Sequence, residues 1–321
     1  MSATMVENGQ GRTGLHGRMR RVPGLGAIPT MVYSHPRGPA FEVDVFRRSW
    51  LIAAGARGYC NLELPQRPDF HLFVLPITGA VEHTVDFVEY RCAPGTLLHV
   101  RPGQVHRWTP RDVMDAICVI CGPSFLTRGT ARGDLLRDDT ERPLPLVAWP
   151  TLFALAPPVH EPLGRVFDLA LAHHDAATDA TWSAPFLRQL VQAALVLLAQ
   201  AATDADAVVA RGTHELFERF ARLLDARYAT VRDVAGYAAA LGVSPRTLTR
   251  ACETARERTA KALIDERVAV EAKRLLAYSS LAIAEVAEHL HFSEPTNFVK
   301  FFRRTAGESP TSFRRREVRE A

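Results

Sequence analysis

Lysine, cysteine and long hydrophobic runs are all scarce in this sequence of 321 residues. Only three of its 39 basic residues are lysines, and the excess of arginine, with abundant alanine, is typical of a high-GC bacterial genome. The five cysteines are odd in number and irregularly spaced, which argues against a secreted domain built on disulfides. No signal peptide and no apolar span of about 18 residues is evident, so we expect a cytoplasmic protein without a membrane partner.

Two of the cysteines, Cys118 and Cys121, have the spacing of a redox or metal-binding motif. They lie, however, within an apolar run from Ala116 to Cys121 that predicts a β-strand. Positions i and i+3 of a strand face opposite sides of the sheet, so the two sulfur atoms should diverge. The spacing therefore predicts neither a redox site nor a metal site.

The net charge of +4 is small, but it is unevenly distributed along the chain. Residues 211–321 contain 20 Lys and Arg against 15 Asp and Glu, whereas residues 1–210 contain 19 against 20. The excess of positive charge thus lies in the C-terminal part, as contacts with nucleic-acid phosphates require.

A short pattern occurs twice in this C-terminal part. The first copy runs from Val231 to Cys252 and the second from Ile283 to Phe302. The two copies align at an offset of 49 as far as Ser244 and Ser293, and at an offset of 50 beyond them. Such self-similarity indicates two copies of one supersecondary unit.

Each copy has the pattern of a helix-turn-helix. A helix with one apolar face leads into a tight turn, in which Gly242 suits a positive φ and His291 occupies the equivalent position. A serine follows, Ser244 or Ser293, whose hydroxyl can cap the second helix by accepting a bond from a free N–H. The second helix keeps apolar residues inward and polar residues outward, so it can present donors and acceptors to base edges in a DNA major groove.

The outward-facing residues of the two second helices are the candidates for base contacts. Arginine suits guanine, and asparagine suits adenine. The alternative interpretation is a helical bundle with an arginine-rich surface and no role in DNA binding. We expect base contacts from Arg246, Thr249 and Arg250 in the first unit, and from Thr296, Asn297 and Lys300 in the second.

The segment Ile283–Arg314, IAEVAEHLHFSEPTNFVKFFRRTAGESPTSFR, resembles the signature of the AraC/XylS family of bacterial transcription regulators. The resemblance covers roughly the last hundred residues. It implies two units joined by a long helix, Ala260–Ala277, which would place both recognition helices in successive major grooves about 34 Å apart. The sequence departs from the family at His291, where glycine is usual, and this implies mild strain in the second turn.

Short strands alternate with turn signals between Phe41 and Leu126, which predicts an all-β sandwich or barrel. The segment Pro94–His106 resembles the second cupin motif, and Phe70–Gly79 lies where the first would be. This arrangement resembles the N-terminal sensor of AraC-type regulators. The expected strands are 41–46, 59–64, 71–77, 80–85, 88–92, 97–100, 105–108 and 116–121.

The cupin resemblance raises the question of a metal. His106 stands where cupin enzymes have their last histidine ligand, but His71 near the first motif is not part of a His-x-His pair. Because a metal needs several converging ligands, we expect no metal and no other cofactor. A small organic effector would instead lie among apolar walls and a few polar groups. Its candidate contacts, each equally well explained as an ordinary core residue, are Phe73, His99, His106 and Trp108.

Two helices are expected after the barrel, at 159–174 and 184–201. The second has an apolar surface wide enough for two neighbours. One is the barrel, and the resemblance to the AraC/XylS family implies that the other is the same helix of a second subunit. The sequence therefore predicts a homodimer.

Together these patterns predict an α+β multidomain protein, in which a cupin-like β-barrel with flanking helices precedes an all-α domain with two helix-turn-helix units. The expected division is a flexible segment 1–40, a sensing and dimerisation domain 41–205 and a DNA-binding domain 206–321. We interpret the protein as a non-enzymatic regulator that binds double-stranded promoter DNA and responds to a small organic effector, with RNA polymerase as a further candidate partner. The alternative is a metal-dependent cupin enzyme with a helical appendage.

Overall fold

The fold combines a β-rich N-terminal part with a helical C-terminal part, as the sequence predicted. The computed structural model describes residues 18–24, 26–34, 43–56, 64–108, 114–122, 125, 146, 148–176, 180–204 and 211–320. Most of the expected strand 59–64 lies outside these residues, as does Cys60.

The described strands form three sheets, ordered β1-β2-β4, β11-β8-β5-β10-β3 and β7-β6-β9. Turn residues separate them, and the observed bounds fall within two residues of those expected between 71 and 121. The strands are β1 Arg18–Gly24, β2 Gly26–Ser34, β3 Val43–Arg47, β4 Arg67–Pro68, β5 His71–Thr78, β6 Val81–Val85, β7 Val88–Cys92, β8 Thr96–Val100, β9 His106–Arg107, β10 Asp115–Cys121 and β11 Leu152–Ala154.

The five-stranded sheet, here called the large sheet, and the three-stranded sheet β7-β6-β9, here called the small sheet, share a side-chain core rather than a closed ring of hydrogen bonds. Valines of the small sheet, such as Val81 and Val85, pack with Leu72, Val74 and other residues of the large one. Among the described strands, no backbone pairing joins these two sheets, so they form an open sandwich and not the closed barrel that we expected. Apolar burial between two faces is sufficient to hold sheets together without edge pairing.

The large sheet is covered on both faces, and the two-residue period of its strands decides which side chain faces where. Leu72 and Val74 face the small sheet, whereas Phe73 and Leu75 face the helices. The same alternation places Cys118 in one core and Cys121 in the other, which confirms that the two sulfur atoms diverge.

Regular structure begins earlier in the chain than the sequence indicated. Within the segment 1–40, which we expected to be flexible, β1 and β2 form an antiparallel hairpin. Strand β2 then pairs in parallel with β4, and the Met31 side chain is buried in the sandwich core. That burial gives the hairpin an apolar anchor which the Gly- and Arg-rich composition concealed.

In the described part of the chain, three helices accompany the sheets: α1 Arg48–Ala56, α2 Pro157–Ala176 and α3 Ala180–Asp204. In α3, the stretch Ser183–Ala201 is long and apolar enough to cross a membrane by composition, contrary to our reading of the sequence. Its Leu187, Val191 and Leu198 nevertheless pack into the core against the large sheet, as in a core helix of a folded domain.

The C-terminal part contains two small cores that share one long helix. Helix α7 contributes Ala260 and Ile264 to the first core, and Ala272 and Leu275 to the second. The expected helix 260–277 is thereby confirmed. The helices are α4 Arg211–Arg227, α5 Val234–Leu241, α6 Pro245–Arg256, α7 Ala260–Tyr278, α8 Ile283–His289, α9 Pro295–Ala306 and α10 Pro310–Glu320.

Candidate nucleic-acid interface

The first helix-turn-helix unit consists of α5 and α6, and each helix has a side-chain cap. The carboxylate of Asp233 accepts a 2.8 Å bond from the Gly236 N–H, and Ser244 Oγ accepts a 3.1 Å bond from the Thr247 N–H. Between the helices Gly242 adopts φ 71°, the left-handed conformation that the sequence predicted. With Pro245 in the first turn, these signals set where α6 begins and therefore which of its residues face outward.

The outward face of α6 carries the first three candidates for base contacts. Leu248, Ala251 and Cys252 are buried against the other helices. Arg246 and Arg250 are exposed and Thr249 is half-buried, so the polar face lies towards solvent as expected. Arginine donors on such a face match the acceptors of guanine in the major groove.

The second unit, α8 and α9, differs from the first in its turn. His291 adopts φ 55°, so a non-glycine residue occupies the left-handed position. The residue before α9 is Glu294, which makes no side-chain cap, and the expected cap by Ser293 is wrong. The one-residue insertion between the repeats moves Ser293 one position too early, while Pro295 keeps the place of Pro245 at an offset of 50.

The outward face of α9 carries the remaining three candidates, Thr296, Asn297 and Lys300, and all three are exposed. Thr296 Oγ1 donates to Glu294 Oε2 over 3.1 Å, and Asn297 Nδ2 donates to Ser293 Oγ over 3.1 Å. Glu294 is exposed on this surface as well, where the sequence pattern places it, although it was not among the residues expected to contact bases. Its carboxylate would accept from cytosine and repel phosphate.

Polar contacts with α7 fix the position of α9. Asp265 in α7 accepts a 2.6 Å bond from Lys261 Nζ and a 3.2 Å bond from Arg304 at the end of α9. Arg314 in α10 donates to the carbonyl groups of Leu276 and Leu281, at 2.9 Å and 2.7 Å. These bonds tie the second unit to α7, the linker helix between the units. The two recognition helices, α6 and α9, are therefore not independent of each other.

The four effector candidates lie on opposite faces of the large sheet. Phe73 and His99 stack at 4.5 Å with an angle of 6° between the rings, on the face towards α2 and α3. His106 and Trp108 lie on the other face, between the sheets, where Trp108 is in the sandwich core. The structure thus brings the candidates together in pairs but not into one pocket.

Beside each pair lies a second histidine that was not among the effector candidates. His71 Nδ1 lies 3.0 Å from His99 Nε2, and His83 Nε2 lies 3.0 Å from His106 Nδ1. Burial lowers the pKa of His71 and of His106 to about 4. These imidazoles are therefore neutral near pH 7, so that within each pair one ring donates a hydrogen bond to the other.

Within the two histidine pairs, Nδ1 of His83 and Nδ1 of His99 are buried and have no hydrogen-bond partner among the described residues. A buried polar atom without a partner is rare in native proteins and is satisfied when a ligand supplies the missing group. Within the described residues, no group of three or more His, Cys, Asp or Glu side chains is arranged as a metal site.

Two short helix pairs, each with an outward polar helix, define a double helix-turn-helix protein. Residues 237–316 match the family described as a helix-turn-helix domain. The C-terminal region of the chain is therefore a helix-turn-helix domain of the AraC type, a class of DNA-binding domain. A search of curated proteins gives no match.

Several solved structures resemble the chain at low TM-scores. Fatty-acid-bound ToxT from Vibrio cholerae strain SCE256 is 12% identical over 85% of this chain and 94% of its own, with a TM-score of 0.39. An AraC-type regulator from Chromobacterium violaceum is 20% identical over 35% and 100%, with a TM-score of 0.31. A dual regulator from Escherichia coli K-12 is 22% identical over 32% and 93%, with a TM-score of 0.29. Scores this low carry no argument about function.

Proposed function

We propose that this protein binds promoter DNA in a sequence-specific manner with both recognition helices, and that a small organic effector in the N-terminal part modulates the binding. The observation that carries the proposal is the exposure of polar faces on α6 and α9, two helices held by the shared helix α7. In this proposal the protein has neither a catalytic role nor a cofactor.

The six candidates would divide the readout between two half-sites. Arg246, Thr249 and Arg250 would read one major groove, and Thr296, Asn297 and Lys300 the next one along the same face of the duplex. Exposed Arg303, in the last turn of α9, adds positive charge that suits a phosphate contact.

The experiment that tests DNA binding is footprinting of the purified chain on the DNA upstream of its own and neighbouring genes, combined with a salt titration. We expect protection over about two helical turns on one face, and binding that is far tighter than to bulk DNA at the same salt. Weak binding that is equal on all sequences would contradict the proposal and leave the helices as a generic basic module.

For the effector we favour the site between the two sheets, at His83, His106 and Trp108. Neutral imidazoles, one with a free Nδ1, and an aromatic wall can orient a small molecule in an apolar surrounding. Thermal stabilisation by candidate metabolites would detect the effector. Loss of the stabilisation in Trp108→Phe but not in His99→Asn would support this site, and the reverse would favour the face with Phe73 and His99.

A homodimer and a domain boundary complete the proposal. Leu169 in α2 and Phe186 and Val196 in α3 are exposed by 49%, 40% and 39%, which leaves an apolar surface for the same helices of a second subunit. We place the boundary between the sensing and DNA-binding domains near residue 205. Sedimentation equilibrium of the wild type and of Leu169→Asp tests the dimer, since the variant should shift the equilibrium towards monomers.

A further inference from the structure

The hairpin of β6 and β7 extends to the C-terminal part of the protein. Its two-residue turn consists of Asp86 at φ 49° and Phe87 at φ 68°. A tight hairpin of this kind requires positive φ at both central residues, and glycine or asparagine usually occupies them. For a residue as bulky as phenylalanine the conformation is a genuine outlier. Strain that is retained at such a position points to a use for the side chains.

Asp86 forms a buried, two-fold contact with Arg274 in the linker helix α7. Asp86 Oδ1 accepts from Arg274 Nε over 2.8 Å, and Oδ2 accepts from Arg274 NH2 over 2.7 Å. The two side chains are only 11% and 6% exposed. Arg274 NH1 also donates to Glu271 Oε2 over 2.8 Å, so the guanidinium is surrounded by acceptors. A paired contact of this type fixes orientation as well as distance.

Burial by itself would raise the pKa of Asp86, but Arg274 outweighs it and lowers the pKa below its usual value. The same contact raises the pKa of Arg274 against the effect of burial. Both groups therefore stay charged, and removing either one would leave the other as a buried charge without its partner, which is costly.

Phe87 makes the second contact between the hairpin and the DNA-binding domain. Its ring stacks on Tyr278, at the end of α7, with 5.5 Å between centroids and an angle of 13°. It also meets the edge of Phe313 in α10 at 5.5 Å. Phe313 in turn packs on Phe302 of the recognition helix α9. The hairpin tip thereby touches the core that supports the second unit.

On its other side, Asp86 holds the segment that leads into β9. Its Oδ1 accepts a 3.0 Å bond from the Val105 N–H, and its Oδ2 accepts a 2.9 Å bond from Gln104 Nε2. The Asp86 N–H donates to the Val105 carbonyl over 2.8 Å. Val105 is followed in the chain by His106, and Trp108 lies two residues further on. One carboxylate thus links the segment beside the proposed effector site to the helix that spaces the recognition helices.

We propose that Asp86 and Arg274 form a coupling latch, through which the state of the sandwich is transmitted to α7 and so to the spacing of α6 and α9. The regulatory role of the latch rests on the proposed function. The energetic coupling between Asp86 and Arg274 does not. Coupling between two sites is reciprocal, so binding of DNA to the C-terminal part must change the conformational stability of the hairpin.

Amide hydrogen exchange of the full chain, with and without the duplex identified by footprinting, tests this transmission. In the wild type, DNA should change exchange about fivefold or more in residues 81–92 and 104–108, which are far in sequence from the recognition helices. Asp86→Asn should lose this response but keep the DNA-induced change in α6 and α9. The matched control is Glu82→Gln, which breaks the exposed pair of Glu82 with Arg91 on the same hairpin and should respond as the wild type. An equal response in Asp86→Asn and the wild type would overturn the latch.

A double-mutant cycle on thermal unfolding tests the physical coupling without DNA. Asp86→Asn and Arg274→Gln should each lower the Tm by several degrees, and the double variant should lower it by clearly less than the sum. Arg274→Lys keeps the charge but not the two-fold geometry, so its Tm should lie between those of the wild type and of Arg274→Gln. Additive shifts would overturn the coupling. If the cycle shows coupling while footprinting fails, the latch stands and the proposed function is wrong.

Discussion

The guanidinium of Arg232 lies over the ring of Phe292, with 3.6 Å from its central carbon to the ring centroid. Arg232 precedes α5 in the first helix-turn-helix unit, whereas Phe292 lies in the turn of the second. Phe292 also packs on Phe298 and Phe301 at 5.3 Å and 5.2 Å. The two units therefore touch directly, in addition to sharing α7, and this contact bears on the spacing of the recognition helices.

Replacing Arg232 by glutamine should weaken the contact between the units. A cation over an aromatic ring contributes about 0.5–2 kcal/mol, so we expect a loss of about 1 kcal/mol in the free energy of unfolding, measured with urea. Arg258→Gln is the matched control, since Arg258 pairs with Glu266 in solvent and such pairs contribute little. Equal losses in both variants would show that the ring contact is not stabilising.

Arg250→Ala should weaken operator binding and relax specificity in one half of the site. A good two-fold contact with guanine gives about 1–3 kcal/mol of discrimination, so the Kd should rise roughly 5- to 150-fold at fixed salt. Arg165→Ala removes an exposed arginine from α2 and should leave the Kd unchanged. If Arg250→Ala binds as the wild type does, our placement of α6 in the groove is incorrect.

The two turns offer a reciprocal test of backbone strain. Gly242 and His291 both adopt left-handed φ, at 71° and 55°. Apart from its chain neighbours, no described residue has an atom within 4 Å of a Cβ added at Gly242, so Gly242→Ala tests the backbone conformation and not the space. It should lower the free energy of unfolding by about 1 kcal/mol, and His291→Gly should raise it by up to about 1 kcal/mol. A lower stability of His291→Gly would mean that the His291 side chain contributes more than its strain costs.

The buried histidines predict a loss of stability in acid. Burial lowers the pKa of His71 and His106 to about 4, and it lowers those of His83 and His99 as well. The unfolded chain, with a pKa near 6.5, then binds more protons than the folded protein between about pH 6.5 and pH 4. The free energy of unfolding should therefore fall as the pH drops through this window.

Urea unfolding at about pH 7.5 and about pH 5.5 measures this dependence. His106→Asn should reduce the difference in the free energy of unfolding between the two pH values, because it removes one of the histidines whose pKa is lowered. Equal stability at the two pH values would show that the histidine pairs are accessible to protons in the folded protein.

Local signals determined most of the helix-turn-helix pattern. Gly242, Ser244 and Pro245 act within a few residues of one another, so their effect on the turn and on α6 could be predicted without tertiary structure. The same reasoning failed at Ser293, because one inserted residue displaced the serine and only the position of Pro295 preserved the register. In the β-rich part, alternation predicted most of the strands between 71 and 121 and the divergence of Cys118 and Cys121.

Relationships across the chain were decided by tertiary structure alone. Alternation assigns Phe73 and Trp108 to faces of strands, but only packing shows that helices cover one face of the large sheet and a second sheet the other. Asp86 and Arg274 are 188 residues apart and share no local pattern. Caps and turns are short-range, so the two helix-turn-helix units could be predicted from local sequence. The docking of the hairpin on α7 depends on burial of a charge pair between distant segments, which no short-range rule encodes.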